Sequence, residues 1–93
     1  MRKKGQNSMA KIVIKKGNME LISMDKMNVI EVKHTGDGLV LVLKEGIFIT
    51  YQDAYLPSSV KDIIVHMCMS TKNDTSVTVD LANYRQPVSV STQ

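Results

Sequence analysis

The chain has 93 residues, 12 of them Lys or Arg and 9 Asp or Glu, and a formal net charge of +3 at pH 7. With one cysteine and two histidines it cannot form an internal disulfide, and it lacks the ligands of an ordinary four-ligand structural zinc site. No apolar run reaches the roughly 18 residues that a membrane span requires, so we expect no membrane association. A chain of this size builds one core, which predicts a single domain over residues 9–93.

Positive charge is concentrated at the N-terminus. Residues 1–16 contain six basic side chains and no acidic one, whereas the rest of the chain contains six basic and nine acidic side chains. We interpret residues 1–8 as a basic disordered arm, or as an extension upstream of a natural start at Met9. The charged residues are not followed by the apolar segment of a secretory signal, so we expect a cytoplasmic protein of the producer or host cell.

Two short strands are predicted in the first 28 residues. Residues 12–14 are apolar and lie between lysines, which is a common protection of edge strands against pairing with other chains. Gly17 and Asn18 then turn the chain, and residues 20–24 form a second, weaker strand.

Residues 29–51 predict three further strands. Alternation over residues 29–34 indicates a half-buried strand, and Gly36 and Gly38 can both adopt positive φ in the turn that follows. Residues 39–43 and 47–51 read as a hairpin, with Gly46 in its left-handed position. Both hairpin strands are apolar on both faces, so we expect the surplus side chains to require another layer or another chain as cover. Those side chains are Val40, Val42 and Phe48.

A helix is predicted over residues 59–72. Pro57 disfavours helical geometry at the residue before it, and Ser58 or Ser59 can cap the first free amides. The apolar positions then recur at helical spacing. They are Val60, Ile63, Ile64, Met67 and Cys68, and Val65 and Met69 widen the stripe.

The C-terminal part predicts two more extended segments. Residues 75–81 alternate cleanly between apolar and polar side chains, as expected for an amphipathic strand. After an interruption at residues 83–87, Val88 and Val90 belong to a last extended piece that either frays or pairs with the sheet edge of a neighbouring chain.

Few side chains suggest chemistry. His66 follows Asp62 by one helical turn, the spacing at which a carboxylate orients a general base, but Lys61 beside them favours a solvated polar face. Cys68 lies in the apolar stripe and is expected to be a buried thiol. His34 lies near Asp37 across a turn and is isolated from His66, so we predict no catalytic residue, no metal site and no cofactor.

These patterns predict an α+β fold, with an antiparallel sheet of about five or six strands and one amphipathic helix packed on one face. Seven methionines with one Phe and no Trp indicate an adaptable core and adaptable contact surfaces. We therefore expect a non-enzymatic interaction or assembly protein, either a homo-oligomer or an accessory subunit of a larger particle. The Lys, Ile, Asn and Met content suits a bacteriophage or mobile-element protein. The expected interface residues are Val40, Val42, Phe48, Val65, Met69, Val88 and Val90.

The main alternative is a nucleic-acid-binding module that uses the basic arm and the first strand, because lysines there can neutralise phosphates. Its contact residues would be Arg2, Lys3, Lys4, Lys11, Lys15 and Lys16. Base stacking on a sheet needs aromatic side chains beside basic ones, and the sequence does not concentrate lysines near its few aromatic residues. A third alternative is a protein that holds a small ligand at a subunit boundary.

Overall fold

The structure, a computed structural model, describes residues 10–92, so the predicted arm over residues 1–8 lies outside it. Seven strands, one α-helix and one 3-10 turn form the described part. They are β1 Lys11–Lys16, β2 Met19–Asp25, the 3-10 turn Lys26–Asn28, β3 Val29–Thr35, β4 Gly38–Leu43, β5 Phe48–Gln52, α1 Ser58–Ser70, β6 Thr75–Asp80 and β7 Val88–Thr92.

The strands form two sheets. A four-stranded sheet has the order β2-β1-β6-β7, and a three-stranded sheet has the order β3-β4-β5. The α+β class is confirmed, but the expected single antiparallel sheet of five or six strands is wrong, since β1 and β6 pair in parallel within the larger sheet. The two strands are far apart in the sequence. One bond between these segments, from the Lys11 N–H to Oγ of Ser76, joins residues 65 positions apart. Local alternation locates a strand but carries no information about such a distant partner.

One cluster of buried side chains contains residues from both sheets and from the helix. Helix α1 contacts β3 of the three-stranded sheet and also β6 and β7 of the mixed sheet, so it packs across both. The cluster includes Ile12, Ile14, Val77 and Val79 from the mixed sheet, Val32, Leu39 and Leu41 from the other, and Val60, Ile64 and Cys68 from α1.

Two glycines determine the turns of the three-stranded sheet. Gly46 has φ 78°, and its N–H donates to the Leu43 carbonyl at 3.0 Å, which confirms the predicted hairpin turn. Gly38 has φ 155°, and a Cβ there would lie 2.0 Å from the carbonyl oxygen of Tyr51. Gly36, by contrast, does not have positive φ, so only one of the two glycines predicted for the turn before β4 has this role.

Helix α1 begins and ends slightly earlier than predicted. Pro57 occupies the N-cap position without a side-chain cap, and its carbonyl accepts hydrogen bonds from the N–H groups of Val60 and Lys61. The predicted serine cap is wrong, because Ser58 and Ser59 lie inside the first turn, where a hydroxyl no longer precedes the free amides.

Candidate functional site

The four sheet edges differ in how their backbone groups are protected. In the described part of the chain β2 and β7 flank the mixed sheet, and β3 and β5 flank the three-stranded sheet. An edge strand has a row of unpaired N–H and C=O groups, so an edge without protection is a template for another strand. The edges are therefore the candidate interaction sites.

The β3 edge is covered by α1. The Val32 N–H donates to Sδ of Met69 at 3.1 Å, and Nζ of Lys61 donates to the Thr35 carbonyl at 2.6 Å. The Lys61 side chain is only 2% exposed, which corrects its predicted place on a solvated helix face. Since α1 packs against β3 and Met69 binds the outward N–H of Val32, the helix covers this edge.

The β2 edge is protected by charge and irregular pairing. Glu20 and Asp25 lie on this strand, and Asp25 forms a 3.5 Å ion pair with Lys11. Its pairing with β1 also shifts register between Ile14 and Lys15. Charged side chains and bulges both disfavour the addition of another strand.

Among residues 10–92, nothing gives the β7 edge either kind of protection. The strand contains no charged residue and no proline, and Ser89, Val90 and Ser91 are all exposed. Val90 is opposite the fully buried Val77, so its side chain is on the core face of the sheet, yet it is 48% exposed. The core layer therefore stops at Val90 with apolar surface uncovered.

The β5 edge is also uncharged, and Phe48 at its start is 61% exposed. Nζ of Lys33 lies 5.7 Å from the centre of the Phe48 ring. Lys33 is opposite Val40 on β4, and Phe48 is opposite Val42, so this cation-π contact crosses β4 diagonally. Val40 and Val42 are each only 8% exposed. Both valines are therefore already buried within the single chain, whereas Phe48 is exposed.

The other predicted interface residues are placed differently. Val88 is buried, Val65 is partly buried against the core, and Met69 is about half exposed beside the β3 edge. Within this set, the large apolar side chains that a partner can reach directly are Phe48, Met69 and Val90.

The predicted basic contact residues are divided between the two ends of β1. Lys11 and Lys16 are exposed at opposite ends, and Lys15 is partly buried. Arg2, Lys3 and Lys4 lie outside the described residues.

The charge of Lys16 acts on one aromatic side chain, Tyr51. Burial and the carboxylate of Asp53 raise the pKa of Tyr51, whereas the nearby Lys16 charge lowers it, and Tyr84 also acts on the same phenol. Nζ of Lys33 also lies near the Phe48 ring, so one lysine approaches an aromatic side chain on the three-stranded sheet.

Lys26 is a buried cation that the sequence pattern did not reveal. Its Nζ donates to Oγ1 of Thr71 at 2.6 Å, to the Lys72 carbonyl at 2.5 Å and to the Thr75 carbonyl at 2.9 Å. Burial lowers the pKa of Lys26, and the nearby charges of Cys68 and Asp74 oppose this shift. The three bonds use all three N–H groups of the ammonium. A cleft of about 110 Å³ beside it therefore has no free cation for an anionic ligand.

The side chains with reactive potential pair differently from what their spacing in sequence suggested. Oδ1 of Asp62 lies 2.7 Å from Nε2 of His34, so the carboxylate pairs across to β3 and not with His66, and His34 pairs with Asp62 and not with Asp37. Burial raises the pKa of Cys68 to about 11, which confirms the predicted buried thiol and keeps it protonated at neutral pH. No group of three or more potential metal ligands occurs among residues 10–92.

Comparison with protein-family models, curated proteins and solved structures finds no match to the chain. Within the described residues, no helix has the length and apolar character needed to cross a membrane.

Proposed function

We propose that this chain is a non-enzymatic assembly protein that joins copies of itself, or a larger particle, through sheet edges. The observation that carries the proposal is the contrast among the edges: β2 and β3 are protected, whereas β5 and β7 contain no charged residue and expose apolar side chains. Natural proteins usually block exposed edges, so two edges that no part of residues 10–92 protects favour strand addition as the mode of binding.

The expected association has a defined dependence on solution conditions. Backbone hydrogen bonds and apolar contacts are weakly affected by salt, whereas contacts between exposed charges weaken as ionic strength rises. Because β5 and β7 contain only uncharged side chains, edge pairing predicts association that high salt leaves intact.

Light scattering on a size-exclusion column tests the proposal over a tenfold concentration range at low and high salt. We expect a mass above that of one chain that rises with concentration and is insensitive to salt. A mass of one chain under every condition would contradict self-association.

Nucleic-acid binding is the second candidate, and the charge of Lys16, which acts on the phenol of Tyr51, favours it. Aromatic rings beside cations can stack on bases and neutralise phosphates. Lys16→Ala would then weaken binding of a single-stranded oligonucleotide and reduce its salt dependence. The control is Lys44→Ala, which removes an exposed lysine from the hairpin turn. Equal binding by both variants would count against this candidate. Deletion of residues 1–8 tests the basic arm in the same assay.

A further inference from the structure

We infer that β7 pairs with β7 of a second copy, antiparallel and about a two-fold axis through Val90. This inference rests on the proposed function, because it names the edge, the register and the partner through which the chain assembles. The result would be one continuous sheet that runs through both copies.

The hydrogen-bonding phase of β7 sets which backbone groups a partner meets. The Asp80 N–H donates to the Pro87 carbonyl at 2.7 Å, so these two residues form a hydrogen-bonded pair at the start of the β6–β7 ladder. Bonded and non-bonded pairs alternate along an antiparallel ladder. Ser89 and Ser91 therefore direct their backbone groups toward β6, whereas Val88, Val90 and Thr92 direct theirs toward the free edge.

An axis through Val90 makes use of this whole edge. Val90 is then opposite Val90 of the second copy, and Val88 is opposite Thr92 of the second copy. Every outward N–H and C=O of the strand finds an acceptor or donor in this register. A shift by one residue places groups that already bond to β6 opposite outward ones, and a shift by two leaves outward groups at a strand end without a partner, so this register pairs the edge most completely.

The two-fold axis through Val90 also brings compatible side chains of β7 together. The half-exposed Val90 meets its own copy and extends the apolar layer of the core face, while Ser89 meets Ser91 of the second copy on the outer face. The strand contains no charge, so the symmetry brings no like charges together. The other open edge matches itself less well, because an antiparallel pair of β5 strands centred on Thr50 would place Phe48 opposite an amide, Gln52.

Disulfide trapping tests the register. The Cα atoms of a hydrogen-bonded antiparallel pair lie about 5.5 Å apart, within the range that a disulfide spans. Val90→Cys should therefore form a covalent dimer under mild oxidation. Ser91→Cys is the matched control: the two Ser91 positions are offset along the strands by two residues and lie about 8 Å apart, which is too far for a disulfide. The native Cys68 is buried and does not compete.

Thr50→Cys places the same probe at the centre of the β5 edge. Covalent dimer from Val90→Cys, with little from Ser91→Cys and Thr50→Cys, supports the inference. If the native chain has a mass above one chain but Val90→Cys does not crosslink in preference to the other two variants, the β7 register is wrong and the proposed assembly function stands. A native chain that is monomeric at all concentrations overturns this inference and the self-association part of the proposed function, and leaves only attachment to a larger particle.

Discussion

The β3 and β7 edges differ in how the unpaired backbone groups of an edge strand are treated. On β3, helix α1 packs along the strand and its side chains bind backbone groups of Val32 and Thr35, so the helix covers this edge. On β7, the exposed strand contains only uncharged side chains and has no such cover in the described residues. The helix covers the β3 edge, whereas the β7 edge has no cover in the described residues. The β3 side therefore stabilises the fold, and the β7 side is available to a partner.

The largest expected effect comes from Gly38→Ala, which tests how firmly β5 is held to the rest of its sheet. The new Cβ would lie 2.0 Å from the backbone oxygen of Tyr51, at a positive φ that alanine disfavours. Since backbone must move, we expect a loss of about 3 kcal/mol or more in the free energy of unfolding. Urea denaturation measures it.

The control is Gly36→Ala, two residues earlier in the same turn. An added Cβ there meets no atom within 4 Å, so we expect a change within about 0.5 kcal/mol. Equal losses from the two alanines would contradict the steric argument.

Lys61→Ala should weaken the contact between α1 and the β3 edge. It removes a buried stem and leaves the Thr35 carbonyl without its ammonium partner, which predicts a loss of about 2–4 kcal/mol. Thermal or urea unfolding measures the change, with exposed Lys44→Ala as the comparison. If Lys61→Ala is as mild as Lys44→Ala, the lysine is not a structural part of the β3 edge.

Alkaline pH should lower the stability of the fold through Cys68, which lies on α1, the helix that covers β3, and not through β7. The pKa of Cys68 is raised from 9.0 to about 11 in the folded chain, so its contribution to stability is fully present below pH 9 and is lost as pH rises through 11. We expect this group alone to account for about 2 kcal/mol across that window. The test compares the pH dependence of urea unfolding in the native chain and in Cys68→Ala, which should lose less stability. Parallel curves for the two proteins would contradict this assignment.

Val90→Lys is expected to have the smallest effect on stability. It should also have the clearest effect on the mass of the protein in solution. The residue is half exposed at an open edge, so the free energy of unfolding at high dilution should change by no more than about 0.5 kcal/mol. Two lysines facing each other across the two-fold axis should nevertheless return the mass to that of one chain. A variant that unfolds readily, or one that keeps the oligomeric mass, would remove the distinction between the two edges.

The sequence located the helix and the strand segments to within a few residues, because alternation and helical spacing are local properties. The expected number of about five or six strands was too low, and the last segment, expected to fray or to pair with a neighbouring chain, pairs with β6 of its own chain. The sheets could not be assigned in the same way, since the partner of β1 lies far along the chain. Lys61 and Lys26 were missed because a lysine is expected in solvent unless acceptors are provided, and those acceptors come from distant segments. The pair of His34 and Asp62 was hidden for the same reason, as each residue had a nearer candidate in sequence.

The parallel pairing of β1 with β6 also bears on the order of events during synthesis. When the first strand leaves the ribosome it can form a hairpin with β2, but the strand that completes its other side is made about 60 residues later. Until then Ile12 and Ile14 lack half of their neighbours, so the emerging chain exposes surface that chaperones recognise. Such non-local closure predicts slow folding, in milliseconds to seconds, with the final step reached only after nearly the whole chain has been translated.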